Sequence, residues 1–293
     1  VPMQRELSII IPAYNEERRI RETLIRVLAY RIKERLDAEI IVVDDGSTDR
    51  TAEILEEFRD ELVVIKINPN RGKGFAVKSG VMAASGKIIL FMDADLATDL
   101  SEIKASLKDF KRDGANILIG VRNQSSAKRT LIRSIVGKSF ALISNIILPL
   151  KVKDSQCGFK VFQSLVAKEI FVQLKANRWT FDKEILFIAQ KSNLKIVERP
   201  VKWQERGNST VRLSRDIFVM LYELIKIRAN GLLGRYNSTE LQGRLASPGA
   251  EKLQAKLINR MPTIEGSVYA YDIKKMTRSY NEKPREHAAP KVE

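Results

Sequence analysis

Two aspartates one residue apart, Asp93 and Asp95, close an apolar run, Ile89-Leu90-Phe91-Met92, that reads as a buried strand. Residues two apart on an extended segment point the same way, so both carboxylates address one ligand. Their mutual repulsion requires a cation or positively charged neighbours to offset it. A hard divalent cation with oxygen ligands, Mg2+ or Mn2+, suits the pair, with a diphosphate filling the remaining positions. Taken alone, D-x-D equally describes a loop whose aspartates cap the next helix, with Asp99 close behind.

Composition removes most competing chemistry. The one histidine, His287, lies in a Pro- and charge-rich terminus, which leaves no Ser-His-Asp triad or HExxH zinc site in the main body. Cys157 is the one cysteine, so no intrachain disulfide forms and a reducing compartment is expected. "GKGFAV" (72–77) starts like a dinucleotide fingerprint but has Val77 where the last glycine belongs, and "SGKI" (85–88) lacks the P-loop spacing. Carboxylates, basic side chains and a metal they bind remain. The formal net charge of +15 favours an anionic partner: nucleic acid, an acidic membrane face or a phosphorylated substrate.

The elements that must carry these residues alternate regularly. Strands are expected at Leu7–Pro12, Glu39–Asp45, Leu62–Ile67 and Lys87–Asp93. Between them fall helices over Glu16–Leu36, a segment capped by Ser47 or Thr48, and Lys73–Ala84. This βαβαβαβ order predicts a mostly parallel sheet flanked by helices, with ligands outside the carboxyl ends of the strands, where Asp44, Asp45, Asp93 and Asp95 fall. A helix at Ser101–Asp113 and a strand at Ala115–Arg122 follow, then a strand near Phe159–Phe162, helices at Ser164–Leu174 and Phe181–Ser192, a strand at Lys195–Trp203 and an apolar helix at Leu213–Leu233. One catalytic domain over 1–235 is expected, its halves meeting near 113, with Tyr236–Glu293 as a polar tail.

Between Gly114 and Lys153 there is no Asp or Glu, while Arg122, Lys128, Arg129, Arg133, Lys138, Lys151 and Lys153 are present. Leu131, Ile132, Ile135, Val136, Leu142, Ile143, Ile146 and Ile147 cover about half a helical wheel. The stretch reads either as a core helix with a solvated basic face or as an amphipathic element in a membrane interface, and the missing acids favour the interface. Ser139–Leu150 is too short to span a bilayer, which needs about 20 apolar residues, and no stretch reads as a signal peptide.

"IPAYNEE", "VVDDGSTD", "NRGKGFAV" and "FMDAD" occur in order at one sheet edge. Together they resemble the inverting glycosyltransferases of the GT-A fold, the large family that includes cellulose and dolichyl-phosphate-sugar synthases. "KDSQCGFKVF", "RWTFDKEILFIAQ" and "RPVKWQERGNSTV" narrow the resemblance to the dolichyl-phosphate glucosyltransferase branch, over about Leu7–Tyr236.

The resemblance implies that Pro12, Ala13, Tyr14, Glu16 and Asp44, with Asp45 beside it, hold the nucleoside of a nucleotide-sugar. It places Arg71 and Lys73 at the diphosphate, and Asp93-Ala94-Asp95 at ribose and metal, with Asp95 the first metal ligand. Arg122, Arg129, Arg133, Gln156, Ser209 and Arg212 are implied at an acceptor phosphate. Asp182, with Glu184 near it, acts either as a general base for a hydroxyl acceptor or as a positioning group for an ionised lipid phosphate. The implied reaction moves a hexose, glucose from UDP-glucose or mannose from GDP-mannose, onto dolichyl or polyprenyl phosphate. It is expected at the cytoplasmic face of a membrane, held peripherally. A soluble hydroxyl acceptor is the first rival and nucleic-acid binding the second; basic charge here accompanies aliphatic rather than aromatic residues, so no nucleic acid is expected.

Overall fold

A computed structural model describes residues 5–122, 142–206, 215–238 and 241–243. The strands are β1 (Leu7–Ala13), β2 (Ala38–Asp44), β3 (Val63–Lys66), β4 (Ile88–Met92), β5 (Ile117–Arg122), β6 (Phe159–Gln163) and β7 (Ile196–Val201). They form one sheet in the order β3-β2-β1-β4-β6-β5-β7. β6 runs antiparallel to β4 and β5, and every other pairing is parallel. The expected mostly parallel α/β architecture is therefore present, with one reversed strand that the apolar pattern does not distinguish from a parallel one.

The helices are α1 (Ile20–Lys33), α2 (Thr51–Glu56), α3 (Lys73–Ala83), α4 (Ser101–Arg112), α5 (Ser164–Gln173), α6 (Phe181–Lys191) and α7 (Arg215–Leu232). Alternation along the strands splits the core in two. Ile9, Ile11, Val42 and Leu90 face α1, α2 and α4, while Ile10, Ile41, Val43 and Phe91 face α3, α5, α6 and α7. From β1 the chain steps outward to β2 and β3, then returns through α3 to β4 on β1's other side. This reversal makes the β1/β4 rim the switch point at which such sheets bind ligands.

Several boundaries differ from expectation. Glu16 to Arg19 form a turn before α1, with the Glu16 carbonyl accepting the Ile20 N–H at 2.9 Å. Ser47 and Thr48 do not cap α2; the Ser47 hydroxyl accepts the Asn15 N–H, the Thr48 N–H binds Asn15 Oδ1, and Asp49 accepts the Thr51 N–H instead. Of the acid-free segment, residues 114–122, which include β5, and 142–153 are described, with helical turns at 142–147. Tyr236 and Leu241, assigned from sequence to the tail, are 4% and 1% exposed in the same core as α6, so the packed body runs past 235.

α3 approaches the sheet closely at Gly80, where a Cβ would meet Ile10 Cγ2 at 2.5 Å and Val43 Cγ2 at 3.2 Å. Overpacking a core costs about 1–3 kcal/mol, and alanine's helix propensity returns about 1 kcal/mol of that. Gly80→Ala is expected to lower the urea midpoint with an unchanged slope, a net loss of about 1 kcal/mol.

Candidate active site

The rim is built by loops that hold one another. Asn15 sits at φ 55°, a left-handed conformation asparagine tolerates, and its contacts to Ser47 and Thr48 tie the loop after β1 to the loop after β2. The Asp44 carboxylate accepts the Ser47 N–H at 3.0 Å. Asp45 faces the other way, taking the N–H groups of Arg71 (2.8 Å) and Gly72 (2.7 Å) and the Asn70 amide (2.9 Å). Only 2% exposed, Asp45 fixes the loop in front of α3 through these three donors. That loop delivers Lys73 as the first residue of α3, and the exposed Arg71 guanidinium lies 3.8 Å over the Phe75 ring.

Asp93 follows β4, and its Oδ1 lies 2.5 Å from Lys73 Nζ. Its other oxygen rests on Gly158, where a Cβ would stand 2.0 Å away, so only glycine fits beneath this carboxylate. The Thr23 hydroxyl donates to the Ala94 carbonyl at 2.6 Å, which pins the triplet to α1. Asp95 accepts the Ala97 N–H at 2.9 Å. Past it, hydrogen bonds from Asp99 to Lys202 and from Gln204 to Ala97 hold the loop against the continuation of β7. Glu16 joins the group, paired with Arg19.

The electrostatics match three carboxylates crowded at one rim. Burial pushes the Asp95 carboxyl above its usual range, and the Asp93 charge adds to this. Burial raises Glu16 as well, opposed by Arg19 and reinforced by Asp95 and Asp93. Burial alone would lower Lys73, yet Asp93 and Asp182 hold it above the ordinary lysine range. Among the described residues no three His, Cys, Asp or Glu side chains gather as a metal cage. The oxygen donors Asp93 and Asp95, short of charge balance and partly open to solvent, do fit a divalent cation whose other ligands come from a bound anion.

Behind the rim lies a second set of charges. Lys160, wholly buried in β6, donates to Asp182 at 2.5 Å and to the Cys157 carbonyl at 2.6 Å. Burial raises Asp182, opposed by the ammonium groups of Lys160 and Lys73. Glu184 accepts the Lys175 and Ala176 N–H groups and the Tyr236 hydroxyl at 2.6 Å. With 0% exposure it anchors the loop before α6. Arg122 forms a two-pronged pair with Asp154, Nε to Oδ2 at 2.7 Å and Nη2 to Oδ1 at 2.9 Å, and stacks 5.5 Å from Trp203. Its fork is thus engaged within the protein. Gln156 is exposed, whereas Cys157 is buried and its thiol pushed up to about 11, which removes thiolate chemistry.

Pro12, Ala13, Tyr14, Glu16, Asp44, Lys73, Asp93, Ala94 and Asp95 all lie at this rim, with Tyr14 47% exposed. Arg129, Arg133, Ser209 and Arg212 lie outside the described residues. Sequence reasoning missed Arg19, Gly158 and Lys160. Of these only Lys160 left a signal, a lysine inside the apolar strand "GFKVF".

Residues 8–171 match the family model for glycosyl transferase family 2, and the chain belongs to that family. It is 35% identical to a dolichyl-phosphate beta-glucosyltransferase of Dictyostelium discoideum, over 78% of this chain and 75% of that one. A Saccharomyces cerevisiae protein of the same name is 35% identical over 80% and 77% of the two chains. Among solved structures, glucosyl-3-phosphoglycerate synthase from Mycobacterium tuberculosis, in complex with Mn2+, uridine diphosphate and glucosyl-3-phosphoglycerate, superposes with a TM-score of 0.53. At 19% identity, over 80% of each chain, that likeness shows the shared fold.

Because Asp95 is raised above its unfolded value of 3.8, its ionisation weakens the ligand-free fold at neutral pH. Asp95→Asn is expected to raise the thermal midpoint at pH 7. That gain should shrink as pH falls through the folded-state pKa towards 3.8, as followed by calorimetry at several pH values.

Proposed function

We propose that the protein moves glucose from UDP-glucose onto dolichyl or another polyprenyl phosphate, inverting the anomeric centre. The observation that carries this reading is the Asp93/Asp95 pair at the β1/β4 switch point with the Lys73 ammonium against it. The family and the two dolichyl-phosphate beta-glucosyltransferase relatives support the choice of sugar and acceptor. GDP-mannose is the alternative donor.

In this reading Pro12 to Glu16 and Asp44 take the nucleoside. Asp95, with Asp93, holds Mg2+ or Mn2+, which when bound supplies positive charge against the donor diphosphate. Lys73 and Arg71 add compact positive charge where the leaving group becomes more negative. The acceptor phosphate, already ionised, needs no base to attack the anomeric carbon from the opposite face. Catalysis rests on placement and on charge arranged in advance. Neither candidate base is open: Glu184 is enclosed by three donors and Asp182 is paired with Lys160. This favours a phosphate over a soluble hydroxyl acceptor. With the Arg122 fork on Asp154, gripping that phosphate is assigned to Arg129, Arg133, Ser209 and Arg212, and Gln156 borders it.

A membrane supplies the acceptor, and α7 carries the matching surface. Phe218, Tyr222, Ile225 and Leu232 form an exposed stripe, between 55% and 74% accessible, opposite the buried Met220, Leu224 and Ile227. Leu142 and Ile146 are also exposed, while Lys151, Lys226 and Arg228 are exposed cations suited to anionic headgroups. No helix among the described residues is long and apolar enough to cross a bilayer. The contact proposed is peripheral, at the cytoplasmic face.

The test incubates protein and Mn2+ with labelled UDP-glucose or GDP-mannose and polyprenyl phosphate, and counts label in the organic phase. UDP-glucose is expected to give lipid-linked label, and Asp95→Ala to abolish it with the circular dichroism spectrum intact; equal activity in that variant removes the metal role. Glu184→Gln should lower stability yet keep turnover within about tenfold, whereas loss of a true base costs about a hundredfold or more. Phe218→Ser with Tyr222→Ser should weaken sedimentation with anionic vesicles, and unchanged sedimentation would remove α7 from the contact.

A further inference from the structure

We propose that Lys73 is a built-in counter-cation for Asp93, and that a divalent cation displaces it only when a diphosphate arrives to receive its ammonium. This rests on the reading of a metal and nucleotide-sugar site. It adds a coupling between the two ligands that neither the carboxylate pair nor the family likeness contains.

The geometry leaves one way for the exchange to occur. Lys73 Nζ lies 2.5 Å from Asp93 Oδ1, one of the two carboxylate oxygens open to a cation. Asp93 is backed on one side by Gly158, where even a Cβ would stand 2.0 Å from Oδ2, so the carboxylate cannot retreat in that direction. The backbone of Lys73 is equally fixed. Gly72 before it has φ 98° and sits so close to Asn177 that a Cβ would lie 2.6 Å from the carbonyl oxygen, and Asp45 grips the Gly72 N–H at 2.7 Å. What remains mobile is the four-carbon stem of Lys73, whose end is a point charge able to change partners.

The next carboxylate does not relieve Lys73 of its need for an anion. Asp182 already binds the wholly buried Lys160 at 2.5 Å. A cation arriving alone must therefore break the Lys73–Asp93 pair, whose side chains are 22% and 36% exposed, and leave the ammonium without that partner, which is costly. A cation arriving with a diphosphate replaces one ion pair by two: metal with Asp93, and Lys73 with a phosphate oxygen. The same coupling must act in both directions, so UDP binds weakly without metal.

The experiment measures Mn2+ binding by calorimetry and by the loss of the free-ion electron paramagnetic resonance signal, with and without UDP. For the unaltered protein UDP is expected to tighten Mn2+ by about tenfold or more, within the usual range of site-to-site coupling. In Lys73→Met, Mn2+ alone should bind at least about fivefold tighter, and the gain from UDP should fall below about threefold. Lys73→Gln serves as a second replacement, and circular dichroism checks the fold of both. Lys78→Gln, which removes a cation of the same helix bonded to the Val172 and Leu174 carbonyls and not to Asp93, should leave Mn2+ binding without UDP within about twofold.

Three results overturn the inference while leaving the donor site standing: UDP that does not tighten Mn2+ in the unaltered protein, Lys73 variants that bind Mn2+ no better, or an equal gain in Lys78→Gln. Absence of Mn2+ binding to the unaltered protein even with UDP is a different failure. It removes the metal reading itself, and the exchange falls with it.

Discussion

Crowding of negative charge at the end of β4 is the constraint around which the rim is arranged. Asp93, Asp95 and Glu16 converge where two strands and a helix start meet, and burial penalises the ionisation of Asp95 and Glu16. Each has a compensating neighbour: Lys73 for Asp93, Arg19 for Glu16, and the Ala97 N–H for Asp95. Such an arrangement holds strain that a uniformly stabilised protein would avoid, and such strain gathers at sites that bind charged ligands.

The compensation extends inward as alternating charge. Asp93 is paired with Lys73, Lys73 is drawn to Asp182, and Asp182 is bonded to Lys160 in the middle of β6. Lys160 and Asp182 are the buried pair, and removing either leaves the other uncompensated at a cost of about 3–5 kcal/mol. The reversed strand β6 is what makes the arrangement possible. Gly158, immediately before its first residue, lies under Asp93, and two residues later the strand sends the Lys160 side chain to Asp182.

How much of this was legible in the sequence follows from range. The apolar runs of β1, β2 and β4 and the stripes of α1 and α4 are local patterns, and the sheet order of the first half follows from short right-handed crossovers. The Asp93/Asp95 pair was equally visible, because two residues apart on an extended segment is a local relation. The direction of Asp45 was not. Its carboxylate is turned by three donors from residues 70 to 72, a contact more than twenty residues away that "VVDDGSTD" does not encode by itself. The pairing of Arg122 was hidden for the same reason, since Asp154 lies beyond the acid-free stretch. Ser47 and Thr48 have the composition of caps, but a neighbouring loop with Asn15 competes for them.

The Tyr236 hydroxyl on Glu184 has a practical consequence for anyone shortening this protein. A fragment cut at residue 235 would lose that donor and the Tyr236 ring, whose centroid lies 6.1 Å from that of Phe187. Glu184 would then face an opened crevice while still gripping the Lys175–Ala176 turn, beside the Asn177 carbonyl against which Gly72 packs. The safe truncation point for crystallisation or expression trials therefore lies downstream of Leu241, even though hydropathy alone would invite the cut six residues earlier.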